Sequence, residues 1–98
     1  MGYKLIVSPR AQQEFRDALN YYDNIDHKLG MRLIAELSAT YKALEAAPQF
    51  YSFVFSRRKT NVRDVKLKSF PYLVFYEIKG NLVMVIALMH AKRKPFIK

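Results

Sequence analysis

The sequence predicts a small α+β domain in the order β-α-α-β-β-β-β, with a helix hairpin packed on one face of a twisted, mostly antiparallel sheet. Three observations predict it. Leu82 to Met89 is an unbroken apolar run, short and β-rich, and reads as a central strand covered on both faces. Two stretches in the first half repeat apolar residues at helical spacing. The second half alternates apolar and polar residues with period two, interrupted by turn residues.

The elements follow in order. Tyr3 to Val7 forms a first strand with Tyr3, Leu5 and Val7 on one face. Ser8-Pro9 starts a helix, with Ser8 as N-cap and Pro9 at the first helical position, where its missing N–H costs nothing. Ala11, Phe15, Ala18, Leu19 and Tyr22 make its apolar stripe, while Glu14 and Arg16 face elsewhere; the helix fades near Asp23-Asn24. A second helix starts around Asp26 or His27. Met31, Ile34, Leu37, Tyr41 and Leu44 are its expected buried stripe, and Pro48 ends it because the residue before proline disfavours helix. The turn between the helices is only a few residues, which makes an antiparallel hairpin.

In the second half, Tyr51 to Phe55 alternates as a strand and Ser56 to Thr60 is a basic turn. Val62 to Lys68 is a strand with Arg63, Val65 and Leu67 on one face. Ser69-Phe70-Pro71 is a break. Tyr72 to Ile78 and Leu82 to Met89 are strands joined by a tight turn at Lys79-Gly80-Asn81. The simplest way to bury everything pairs the short first strand with a central later one. At 98 residues this is one domain, 1–98, large enough for a modest core. Half the residues are hydrophobic, which argues against disorder.

Composition excludes several functions. With no cysteine there are no disulfides, thiolate metal sites or cysteine nucleophile, in keeping with a reducing cytoplasm. The N-terminus lacks a signal-peptide layout, and the longest apolar run has eight residues, far below the ~20 of a membrane helix, so no membrane partner is expected. There is no Gly-rich phosphate loop, Gly-x-Ser-x-Gly or His-Glu-x-x-His. His27 and His90 lie far apart with no acidic cluster beside either, so neither a metal nor another cofactor is expected.

The net charge of +9 is strongly localised. Residues 1–56 sum to zero, as do residues 69–89. The excess lies in residues 57–68, with Arg57, Arg58, Lys59, Arg63, Lys66 and Lys68 against Asp64, and in residues 90–98, with Lys92, Arg93, Lys94 and Lys98. A neutral half joined to a basic half points to a surface for a polyanion or an acidic partner. Arg57, Arg58, Lys59, Lys66, Lys68, Lys92 and Lys94 are its binding candidates, since such clusters hold phosphates without reading sequence.

Four residues are candidates for chemistry. Arg63 shares a strand face with core residues. It either holds an anion at the mouth of the sheet or pairs with Glu77 or Asp64 at the core's edge. His90, the first polar residue after the apolar strand, either moves protons or caps the strand end. Arg93 follows in the basic tail. Glu77, the only carboxylate in a later strand core, forms an acid–base pair with His90 only if both face the same side.

These residues carry a resemblance. Tyr3-Lys4-Leu5-Ile6-Val7-Ser8-Pro9-Arg10-Ala11 resembles the opening of RelE/ParE-type bacterial toxins. Tyr21-Tyr22, Pro48, Val62-Arg63-Asp64-Val65, Phe70-Pro71-Tyr72-Leu73-Val74-Phe75-Tyr76 and His90-x-x-Arg93-x-Pro95 follow in the family's order and approximate spacing. The resemblance covers nearly the whole chain. It implies the toxin of a type II toxin–antitoxin (plasmid stabilization) system, neutralised by a cognate acidic antitoxin that wraps its helices and sheet. Two branches differ in chemistry. RelE-like members cleave ribosome-bound mRNA; ParE-like members share the scaffold and poison DNA gyrase. No tyrosine follows Tyr76, so a C-terminal catalytic tyrosine is absent, and the Phe-Pro-Tyr-Leu-Val-Phe-Tyr phrase and the His-x-x-Arg-x-Pro ending look ParE-like. The resemblance thus favours an inhibitor of an essential enzyme such as DNA gyrase. The alternative is an mRNA interferase, an endoribonuclease with Arg63 and Arg93 holding the phosphate and His90, with Glu77, moving protons. A third reading is a non-catalytic basic accessory protein that binds nucleic acid.

Overall fold

The computed structural model describes residues 2–48 and 62–92. These form β1 (Lys4–Val7), α1 (Pro9–Ile25), α2 (His27–Ala46), β2 (Arg63–Lys66), β3 (Tyr72–Lys79) and β4 (Leu82–His90). The expected strand at Tyr51 to Phe55 and the basic turn after it lie outside the described residues. So do Arg57, Arg58, Lys59, Arg93 and Lys94.

Local chemistry sets the ends of these elements. The Ser8 hydroxyl accepts the Ala11 N–H at 3.1 Å and Pro9 opens α1. Asp26 alone separates the helices. Its N–H donates to the Tyr22 carbonyl, closing α1, while its carboxylate accepts the Lys28 N–H at 3.0 Å, opening α2. So tight a corner presses the helices together: a Cβ on Gly30 would sit 2.9 Å from Asp23 Oδ1 and 3.3 Å from a Leu19 methyl. Between β3 and β4, Lys79 faces Leu82 across a two-residue turn, and Gly80 takes φ +60°, a conformation that favours glycine.

The sheet order is β1-β4-β3-β2. β4 is one of the two inner strands, parallel to β1 and antiparallel to β3; β2 is antiparallel to β3. Both helices lie on one face. Beneath them Ala11, Ala18, Leu33, Leu37 and Leu44 meet Val74, Tyr76, Val83, Val85 and Leu88, with Leu5, Val7, Phe15 and Tyr22 packed around. Each fully buried leucine contributes roughly 1.5–3 kcal/mol. The opposite face holds a smaller cluster of Val62, Leu73, Phe75 and Ala87. The register shifts between Phe75 and Tyr76, opposite Ala87 and Val85, so Ile86 is an extra residue in β4.

The apolar stripe expected on α1 is the one buried. That of α2 is rotated. Leu33, Leu37 and Leu44 are buried together with Gly30, whereas Met31 is 58% and Ile34 45% exposed. The helix is apolar over more than half its circumference, so period alone does not choose the inward side; the fit of Gly30 against α1 does. Among the described residues, no helix is long and apolar enough to cross a membrane.

Candidate functional site

β4 delivers His90 to the end of the sheet, directly opposite Tyr72 of β3. Their rings meet edge to face with centroids 5.4 Å apart, and Tyr72 in turn meets Tyr22 of α1 at 6.3 Å. Burial, with Tyr21 beside it, holds the Tyr22 hydroxyl pKa above its ordinary value. His90 Nδ1 accepts the backbone N–H of Lys92 at 3.2 Å, so its ring proton sits on Nε2 and the residue ties down the turn after β4. Beside it opens a cleft of about 480 Å3, with Glu14, Asp17 and Tyr21 of α1 on one wall and Tyr72, His90 and Lys92 on the other.

Glu14 was expected to face away from the core. Instead its carboxylate reaches under β4, accepting the Leu88 N–H at 2.8 Å and the Arg10 Nε–H at 3.1 Å. Arg10 also approaches Met89 Sδ, at 3.3 Å. Glu14 and Asp17 in this cleft were missed by reading the sequence. The signal for Glu14 was faint: a carboxylate adjoining the apolar stripe of α1.

The other candidates are dispersed. Arg63 pairs with Tyr76 across β2 and β3 and so shares the helix-facing side of the sheet with His90. It lies two strands over and four positions along, roughly 15 Å away by strand spacing and rise. Glu77 faces Met84, on the side of the sheet away from the helices, while His90 shares the face of Tyr72. The separation along β4 from Met84 to His90 is about 20 Å. Glu77 meets Lys79 on its own strand at 3.8 Å. The structure therefore does not bring Glu77 to His90.

Lys66 and Lys68 line a second groove of about 510 Å3 together with Arg32, Ala35, Ala39 and Ala43 of α2. Glu36 lies in it. Partial burial works against its carboxylate. Donors from Ser69, including the N–H at 3.0 Å, and the charges of Arg32 and Lys68 prevail and hold its carboxyl below the usual range. A third groove, between the helices and β1, is lined by Val7, Phe15, Ile34, Leu37 and Tyr41. Among the described residues, no three histidine or carboxylate side chains gather as a metal site would require.

Two helices on one face of a mixed four-stranded sheet, with a charged cleft where β4 ends, define a small α+β fold. The same fold occurs in a solved structure described as "Chromosomal ParDE TA system from P. aeruginosa", which this chain matches with a TM-score of 0.76 at 14% identity, covering 90% of this chain and 95% of that one. No curated protein matches the sequence. A family model, the ParE toxin of type II toxin–antitoxin systems (parDE), matches residues 5–95. The chain belongs to the ParE toxin family.

Proposed function

We propose that the protein is the growth-inhibiting member of a toxin–antitoxin pair, that it acts by binding and inhibiting an essential enzyme, DNA gyrase being the expected target, and that a cognate acidic antitoxin holds it inactive. Membership of the ParE family supports the class. The observation that carries the binding mode of action is the dispersal, among the described residues, of the groups an RNA-cleaving site needs. Glu77 is on the opposite face from His90, Arg63 is roughly 15 Å from it, and His90 Nδ1 is engaged by the Lys92 N–H. In-line attack on a phosphate needs base, acid and cation within contact of one phosphodiester, so this spread favours a binding surface over a catalytic one.

The test is expression of the chain alone in a bacterium, combined with a supercoiling assay of purified gyrase. Growth arrest with filamentation and a DNA-damage response, and loss of supercoiling on adding the protein, are expected. Fragmented mRNA with translation stopping first would favour the interferase instead. Normal growth at full expression would overturn the toxin reading.

A further inference from the structure

A groove of about 450 Å3 lies between the helices and β1. β1 is an edge strand of only four residues, so the sides of α1 and α2 that reach past it have no further strand to pack on. Val7, Phe15, Ile34 and Leu37 make its apolar wall, and Ile34 is left 45% exposed. The other lining residues are Gln12, Arg16, Ser38 and Tyr41, with no carboxylate among them. Gln12 Nε2 already donates to the Val7 carbonyl at 3.0 Å. Arg16 Nη2 donates to Gln13 Oε1 at 2.9 Å, which leaves the guanidinium further donors and, among the described residues, no ion pair. Tyr41 is half-buried, and burial alone holds its hydroxyl pKa up at about 12. That hydroxyl has no hydrogen-bond partner among the described residues. No fully buried polar side-chain atom there lacks a partner, so the Tyr41 hydroxyl keeps an opening, and the groove that Tyr41 lines is that opening. A partly desolvated phenol with nothing to bond is unfavourable until an acceptor enters.

The two helices run antiparallel about Asp26, with Gly30 against Asp23 and Leu19. Arg16 therefore stands level with Ser38, and Tyr41 about one helical turn further along, ~5.4 Å in height. We propose that this groove is a binding site for a small aromatic carboxylate that carries a second oxygen at its far end. The carboxylate meets Arg16 and the Ser38 hydroxyl, the ring lies over Phe15, Ile34 and Leu37, and the far oxygen accepts the Tyr41 hydroxyl proton. A groove of this volume falls within the range of small-molecule sites, about 300–1,000 Å3, and a ring spans the distance with fewer rotamers to freeze than an alkyl chain. The single cation and the absence of any lining acid select a monoanion. A plain fatty acid would leave Tyr41 unpaired, and an inorganic anion would gain nothing from the apolar wall. The site stands on the groove alone and is independent of the toxin reading.

The probe is para-hydroxyphenylpropanoate, titrated into the full-length protein at neutral pH and followed by amide and methyl NMR. A ligand of its size on so open a site should bind with Kd about 1 mM. Shift changes at Val7, Phe15, Ile34, Leu37 and Tyr41 are expected. Phenylpropanoate, which lacks the hydroxyl, should bind ~3–10-fold more weakly, and para-ethylphenol, which lacks the carboxylate, ~5–10-fold more weakly. Each loss belongs to one residue. Tyr41→Phe should bind para-hydroxyphenylpropanoate and phenylpropanoate equally to within ~2-fold, and Arg16→Gln should do the same for para-hydroxyphenylpropanoate and para-ethylphenol. Both replacements keep most of the side chain's shape, and circular dichroism checks that the variants fold. Equal binding of the three compounds to the wild-type chain would overturn the proposal, as would discrimination that survives in either variant. So would an absence of shifts, or shifts centred on the His90 cleft or on the groove beside β2.

Discussion

The Glu14 carboxylate accepts the backbone N–H of Leu88 at 2.8 Å, joining residues 74 positions apart. β1 ends at Val7, opposite Val85, and β4 runs on to His90 without a strand on that side. The Ser8 N–H donates to the Val85 carbonyl and the Ser8 hydroxyl to the Ile86 carbonyl, and Glu14 takes the Leu88 amide. Ser8 and the Glu14 side chain thus finish what the short strand leaves open, along the stretch of β4 that leads to His90. Glu14→Ala should cost about 1–3 kcal/mol by leaving a partly buried amide without its acceptor. Glu14→Gln keeps an acceptor and should cost less than half of that. Urea denaturation of the three proteins checks the ranking, and hydrogen exchange at Leu88 should quicken most in the alanine variant.

A second long-range bond anchors α2. The Tyr76 hydroxyl, fully buried, donates to the Pro48 carbonyl at 2.6 Å. Tyr76→Phe keeps the ring in the core but strips that carbonyl of its donor. A loss of about 1–2 kcal/mol in denaturant unfolding is expected. A change below ~0.3 kcal/mol would mean that water reaches Pro48.

Burial pushes the Tyr41 hydroxyl from its ordinary value of 10.0 up to about 12. The folded value lies above the unfolded one, so the folded state holds this proton more tightly. Its contribution is complete below pH 10 and is lost as the pH rises from about 10 to 12. Allowing for the part of Tyr41 open to solvent, the contribution is about 1–2 kcal/mol. Tyr41→Phe should unfold with a flatter pH dependence over that interval, and phenolate absorbance should show one late-titrating tyrosine fewer.

His90 holds the Lys92 N–H and meets Tyr72 edge to face. If that is its work, His90→Ala lowers stability by about 1 kcal/mol and leaves growth arrest intact at matched expression. A fall in toxicity of ~10²-fold or more with the fold preserved would assign it proton transfer. His90→Asn, which can still offer an oxygen to the Lys92 N–H, should regain most of the lost stability.

What the residues alone determined were features with local causes. Ser8-Pro9 opens α1 because a side-chain oxygen and a fixed φ act within one turn. Gly80-Asn81 closes the β3–β4 hairpin because glycine tolerates positive φ, and Leu82 to Met89 lies in an inner strand because a short, wholly apolar β-rich run must be covered. The family, too, was legible, since its motifs are carried in order along the chain. The tertiary structure decided which of two overlapping apolar faces of α2 is buried, because the pressure of Gly30 against Asp23 and Leu19 is a contact between helices and leaves no mark on periodicity. It also decided the register that sets Glu77 and His90 on opposite faces, through an extra residue at Ile86 that the strand pattern does not reveal. Glu14 shows the same limit. A glutamate on a helix reads as solvated until the neighbouring strand proves too short, and only the assembled sheet then supplies the amide that needs it.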